Sequence, residues 1–140
     1  MLRPTSSVEV TRTDRAELEI WMAATDVVVQ RVKGQAGVEL ARAIAAFNTR
    51  LIQQGLRPHI FNDWEELTGY TSEARLELTA WTAKNVGSLQ GIHVLLKSKL
   101  VAMGISVANL ATGGITKSYS DRATFERVLA EAMRPRGLRP

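Results

Sequence analysis

Residues 59–74 read His59-Ile60-Phe61-Asn62-Asp63-Trp64-Glu65-Glu66-Leu67-Thr68-Gly69-Tyr70-Thr71-Ser72-Glu73-Ala74. A short apolar run begins behind Pro58, a residue suited to the first position of a strand. The run turns polar at Asn62-Asp63, reaches Gly69, and enters a helical pattern at Thr71/Ser72. A strand that hands over to a helix across such a loop leaves backbone N–H groups without helical partners at the loop's end. In open α/β sheets, function tends to sit at C-terminal strand ends of this kind. The loop Asp63–Ser72 is therefore the first candidate for a working site.

Working outward, Val38 to Gln54 is the clearest helix. Leu40, Ile44, Phe47 and Leu51 recur at helical spacing, and Ala41, Ala45 and Ile52 widen the stripe. Gly55 supplies a left-handed stop, with Leu56 as its apolar contact. Before this helix, Ser7–Arg12 and Ala16–Met22 alternate apolar and polar residues, and Val27–Val32 is a third β-rich run. Three short strands in series read as an antiparallel meander. A helix over 14–31 competes, but the valine triplet and the two-residue alternation oppose it. Gly34–Gly37 reads as a loop. Strand, helix and strand in succession then set at least part of the sheet parallel.

Downstream, a second helix is expected from about Ser72 to Lys84, with Ala74, Leu78 and Trp81 on one stripe. Gly91–Lys97 is nearly all apolar, as a central strand covered on both faces should be. A third helix, about Lys99 to Leu110, is amphipathic through Leu100, Met103, Val107 and Leu110, the stripe expected to pack. Ile115–Tyr119 reads as an edge strand. The last helix opens with Ser120 as N-cap and Asp121 in its first turn. Its stripe is Phe125, Val128, Leu129, Ala132 and Met133, and Pro135 forbids continuation. The order is β-β-β-α-β-α-β-α-β-α. It predicts one α/β domain over 7–133, with a mixed five- to six-stranded sheet. The N-terminal meander is antiparallel, the remaining strands are mainly parallel, and about four helices flank them. Residues 1–6 and the basic tail 134–140 are expected to be disordered.

Composition narrows the chemistry. The chain has 140 residues, a single-domain length, and no cysteine, which excludes disulfides, thiolate catalysis and Cys-based metal sites. No apolar run approaches the ~20 residues that span a bilayer. Met1–Ser7 lacks the apolar core of a secretory signal, so a cytoplasmic location is expected. The net charge is +4, but Arg134, Arg136 and Arg139 in the tail supply most of it. The body is close to neutral and carries no basic patch with interleaved aromatics, so nucleic-acid binding is not expected.

With these elements in order, the chain resembles the STAS domain group. It is most similar to the SpoIIAA-like branch, also described as STAS/SEC14-like, the fold of anti-sigma-factor antagonists. The likeness spans Val8 to Met133 and rests on several features. These are the strand ending Ile60-Phe61-Asn62-Asp63, the loop with Leu67 and Gly69, Thr71-Ser72 opening a helix, the strand Ile92–Leu96 and the terminal helix with Phe125. In STAS regulators a strand ends in an aspartate, and about nine residues later a partner kinase phosphorylates a serine in an Asp-Ser-Ser-Gly type motif. Counted from Asp63, that position is Ser72. Here Thr71 stands for the acidic residue, Glu73 for the second serine and Ala74 for the closing glycine.

The resemblance implies a non-catalytic regulatory or protein-interaction domain, with a kinase or an anti-sigma-like regulator as partner. Ser72, with Thr71 as the neighbouring hydroxyl, is the regulated position. Asp63, Trp64, Gly69, Tyr70 and Glu73 are the partner-binding candidates. A phosphate on Ser72 would sit at a helix N-terminus, where N–H groups and the dipole favour an anion. Asp63, Glu65, Glu66 and Glu73 would repel it, and Thr71 or Ser72 could serve simply as a helix cap. The alternative drawn from the same resemblance is a small apolar-ligand, lipid-like binding domain of SEC14-like character, with the ligand between sheet and helices.

No catalytic, metal or cofactor site is predicted. Asp63, Glu65 and Glu66 lack a tuned partner, and His59 is expected to point away from them. His59 and His93 lie on separate strands and would need carboxylates to complete a metal site. Gly113-Gly114 has no accompanying phosphate-binding lysine, and no nucleophile elbow occurs. Trp64, in a polar loop, suits a partner interface or the rim of an apolar pocket. A homodimer through the meander's outer strand is a further expectation.

Overall fold

The computed structural model describes residues 2–4 and 7–135. Of the ends expected to be disordered, residues 1, 5, 6 and 136–140 lie outside the described residues. Within them, Leu2 packs on the core and its carbonyl accepts from Arg31 Nη1 at 2.6 Å.

The strands are β1 (Glu9–Arg12), β2 (Ala16–Met22), β3 (Val27–Ala36), β4 (His59–Trp64), β5 (Leu67–Tyr70), β6 (Gly91–Leu96) and β7 (Thr116–Tyr119). The helices are α1 (Val38–Gln53), α2 (Ser72–Asn85), α3 (Lys99–Ala111) and α4 (Arg122–Met133). One sheet runs β1-β2-β3-β4-β6-β7, and β5 pairs with β3 off that path. The β1/β2 and β2/β3 pairs are antiparallel, and the other pairs are parallel. The meander, the parallel half and the four helices are those the sequence predicts. Residues 14–31 form two strands across a turn, so the competing helix is excluded.

Three features depart from expectation. First, β3 continues through Gly34–Ala36, most of the stretch Gly34–Gly37 read as a loop. Gly34 makes this continuation feasible. Its φ is +88°, and a Cβ there would strike the Arg15 carbonyl oxygen. Second, the prolonged β3 takes a second parallel neighbour. Val27–Arg31 pair with β4, and Gly34–Ala36 pair with β5, with a register shift between Gly34 and Gln35. The stretch read as a loop between Asp63 and Ser72 is thus mostly strand, interrupted by a turn at Glu65-Glu66. Third, the stripe Leu100, Met103, Val107 and Leu110 of α3 faces outward. Val101, Ala102 and Ile105 pack inward instead. Helix α3 is apolar on both sides, so periodicity alone could not select its inner face.

Strand alternation sorts the core into two faces. Val28, Val32, Val94 and Leu96 point toward α1, α2 and α3, joined by Leu40, Ile44 and Leu51. Val27, Val29, Phe61 and Leu95 point toward α4, where Phe125, Leu129 and Ala132 close the layer around Trp21. Helix ends follow sequence chemistry. Gly55, at φ +86°, closes α1 with Leu56 N–H donating to the Leu51 carbonyl, a Schellman stop. Helix α4 is capped by Asp121 rather than Ser120. The Asp121 carboxylate accepts from the N–H groups of Ala123 and Thr124, leaving Ser120 one residue too early.

Candidate functional site

The corner β4–β5–α2 divides its side chains between three environments, because strand and helix periodicities meet there. Asp63 and Trp64 are consecutive on β4, so they point to opposite faces of the sheet.

Asp63 points to the α4 face and is 2% exposed. Its Oδ1 accepts from Arg122 Nη2 at 2.8 Å, while Oδ2 has no partner among the described residues. The expectation that Asp63 contacts a partner is therefore corrected: it is buried beneath α4. Arg122 also binds Glu65 at 3.3 Å and Glu126 at 2.8 Å. Burial works against the Arg122 charge, but the hydrogen bonds to Glu126 and Asp63 outweigh it, and its pKa is raised. Glu66 pairs with Lys33 at 3.7 Å.

Trp64 and Tyr70 point to the opposite side, half-buried, into a cavity of about 120 Å³ between the sheet and α1–α3. The wall is mostly apolar and includes Leu40, Ile44, Leu67, Leu78 and Ile105. The Trp64 indole N–H is buried and reaches no acceptor among the described residues. Buried amides of Gln30 and Asn62 also line the cavity. Gln30 Nε2 donates to Asn62 Oδ1 at 2.6 Å, and Asn48 Nδ2 donates to Gln30 Oε1 at 2.6 Å. Asn48 Oδ1 is left without a partner among the described residues. Helix α3 crosses at Gly104, where any Cβ would collide with the Tyr70 hydroxyl. Burial raises the Tyr70 pKa, against the opposing charge of Arg75. Gly69 is held close to the Gln35 side chain, which a Cβ would strike.

Thr71, Ser72 and Glu73 are exposed. Thr71 is the N-cap of α2, and its Oγ1 accepts from the Ala74 N–H at 3.1 Å. Ser72 is the first helical residue. Its hydroxyl is not the cap, and the first-turn N–H groups of Ser72 and Glu73 precede the reach of intrahelical bonding. Of the expected site residues, Thr71, Ser72 and Glu73 stand together at the surface, Trp64 and Tyr70 line one cavity, Gly69 lies against Gln35, and Asp63 is separated from all of them.

The sequence places His59 and His93 on separate strands, as core or edge histidines. Parallel pairing of β4 with β6 brings their Nε2 atoms to 2.9 Å. His59 shares the α4 face with Phe61 and Asp63, as alternation requires, so it does not point away from Asp63. It engages His93 instead. His93 Nδ1 lies 2.8 Å from the Tyr119 hydroxyl, and its ring stacks on Phe61 at 4.5 Å. Burial, then the charges of His59 and Lys117, bring the His93 pKa down to about 4, so the ring is neutral at pH 7. Among the described residues there is no cluster of three or more side chains suited to a metal ion. Nor is any helix among them long and apolar enough to cross a membrane.

Comparison of the sequence with family models and with curated proteins finds no match. Comparison of the structure with solved structures does. An uncharacterized protein of the DUF3478 family with a SpoIIAA-like fold, from Shewanella loihica PV-4, superposes with TM-score 0.58 at 14% identity, covering 88% of this chain and 92% of that one. The anti-sigma factor antagonist SpoIIAA in its unphosphorylated form gives TM-score 0.57 at 17% identity, over 80% and 97% of the two chains. The Bacillus cell fate determinant SpoIIAA in its phosphorylated form gives 0.57 at 18% identity, over 79% and 98%. These likenesses establish a SpoIIAA-like α/β fold, as the sequence resemblance implies.

Proposed function

We propose that the chain is a non-catalytic regulatory domain acting in the cytoplasm. A partner protein, a kinase or an anti-sigma-like regulator, engages the exposed start of α2, and Ser72 is the switch. The observation that carries this reading is the exposure of Ser72 as the first residue of α2, with Thr71 already supplying the cap. The Ser72 hydroxyl thus has no structural duty to lose. The repulsion expected from nearby acids is also reduced. Asp63 and Glu65 are engaged by Arg122 and Glu66 by Lys33, which leaves Glu73 as the close carboxylate with no ion pair among the described residues. An anion at this helix start is favoured by the dipole and the first-turn N–H groups. One of the similar solved structures is of a phosphorylated SpoIIAA, which lends support by analogy. Phosphopeptide mapping of protein recovered from its native cells tests the reading. Phosphate on Ser72 supports it, and a chain never modified there, across growth phases and stresses, removes the switch.

The cavity favours a second reading, a small apolar ligand. Its volume, about 120 Å³, approaches that of an engineered apolar cavity of about 150 Å³ that stays dry and binds benzene. A molecule of that size, not a whole lipid, fits. The unpartnered Trp64 N–H would favour one hydrogen-bond acceptor on it. Native mass spectrometry of the purified chain should then show a retained small mass that is lost in Ile105→Trp. Protein carrying no ligand, and unaffected by added benzene or phenol, would eliminate this reading.

A further inference from the structure

Four large apolar side chains stand uncovered in a row on α3. Leu100, Met103, Val107 and Leu110 are 78%, 67%, 64% and 85% exposed. The inward face of the helix is already supplied by Val101, Ala102 and Ile105, so the fold of one copy makes little use of these four. Their spacing of three, four and three residues is the seam of a two-helix coiled coil. The positions beside the seam, Ser106 and Ala111, are small and exposed, and no charged residue occurs from Leu100 to Ala111. A contiguous apolar patch on this scale marks a contact surface more often than bare solvent exposure.

We propose that this face joins two copies of the chain, α3 packing antiparallel on α3 about a two-fold axis. The stripe is its own complement. Its four positions are symmetric about residue 105, so a reversed second helix sets Leu100 against the partner's Leu110 and Met103 against the partner's Val107. A two-fold interface requires such a self-matching patch. Lys99 falls beside the partner's Ala111, so the lysines at the two ends do not meet. The uncovered stripe amounts to roughly 500 Å² per copy, on the order of 1,000 Å² for the pair, where specific interfaces begin. The pairing is therefore concentration-dependent. The outer strand β1 is a poorer edge for self-association. It is four residues long, and Glu9 is already bridged to Arg50 at 3.0 Å.

Sedimentation equilibrium of the full chain, from about 1 µM to about 500 µM, tests the proposal. The wild type should pass from monomer to dimer across this range. Met103→Lys and Val107→Glu alter exposed positions, so circular dichroism and thermal melting should be unchanged, while each variant alone should stay monomeric. Mixing the two variants should restore the dimer, because antiparallel packing sets position 103 against position 107. A wild type monomeric throughout would overturn the proposal, as would a dimer that survives both substitutions. Wild-type monomer that instead binds phosphatidylglycerol vesicles through this face would overturn it too, assigning the stripe to a lipid surface.

Discussion

Replacing Arg122 by methionine should cost far more than an ordinary surface change. Arg122 is the partner of Asp63, whose side chain is almost wholly buried and whose second oxygen already lacks a donor among the described residues. Breaking a buried ion pair from one side strands the other charge, typically at about 3–5 kcal/mol. Arg122 itself is partly exposed, and Glu65 and Glu126 can rehydrate, so their loss adds little. The expected deficit is about 3 kcal/mol, or roughly 10 °C in melting temperature for a chain of this length. Urea unfolding followed by circular dichroism at pH 7 measures it. The deficit should shrink in the double variant Asp63→Asn/Arg122→Met, which removes the charge. A single variant within about 1 kcal/mol of wild type, or a double variant no better than the single, would refute the reasoning.

Other outcomes follow from the same geometry. The His93 pKa, lowered to about 4 from the ordinary 6.5, means that the unfolded chain binds a proton there before the folded chain does. Stability from this source is complete above about pH 6.5 and is lost as pH falls toward 4, by on the order of 1–3 kcal/mol, and His93→Gln should flatten that slope in pH-dependent unfolding. Gly104→Ala should destabilise by about 1–3 kcal/mol through collision with the Tyr70 hydroxyl, and Tyr70→Phe should recover part of the loss in a double-mutant cycle. Thr71→Ala should cost about 1 kcal/mol as a lost N-cap, whereas Ser72→Ala should be close to neutral in thermal melts.

The sequence was most legible where one face of an element is apolar and the other is not. Helix α1 and strand β2 belong to that class, while β3, through its valine run, and β6 were readable because both of their faces are apolar. Legibility failed where a segment's role depends on a distant partner. Leu67–Tyr70 is too short and too glycine-interrupted to announce a strand, and it becomes one because β3 extends past Gly34 to meet it. On α3 both faces are apolar, so Leu100 and Val101 had equal claim to the core, and the sheet selected Val101. Asn48, Gln30 and Asn62 carry no pattern in sequence. They are buried because three elements bring their amides together. Ser72 could be placed because cap chemistry and the strand-to-helix handover are local. The burial of Asp63 could not, because its partner Arg122 lies 59 residues away.

Affinity capture from native-cell lysate with wild-type, Ser72→Ala and Ser72→Glu baits, quantified by mass spectrometry, tests the regulatory account most directly. The account predicts at least one partner that wild type and Ser72→Ala retain in common and that Ser72→Glu loses or exchanges. Identical partners, in identical amounts, on all three baits would contradict it.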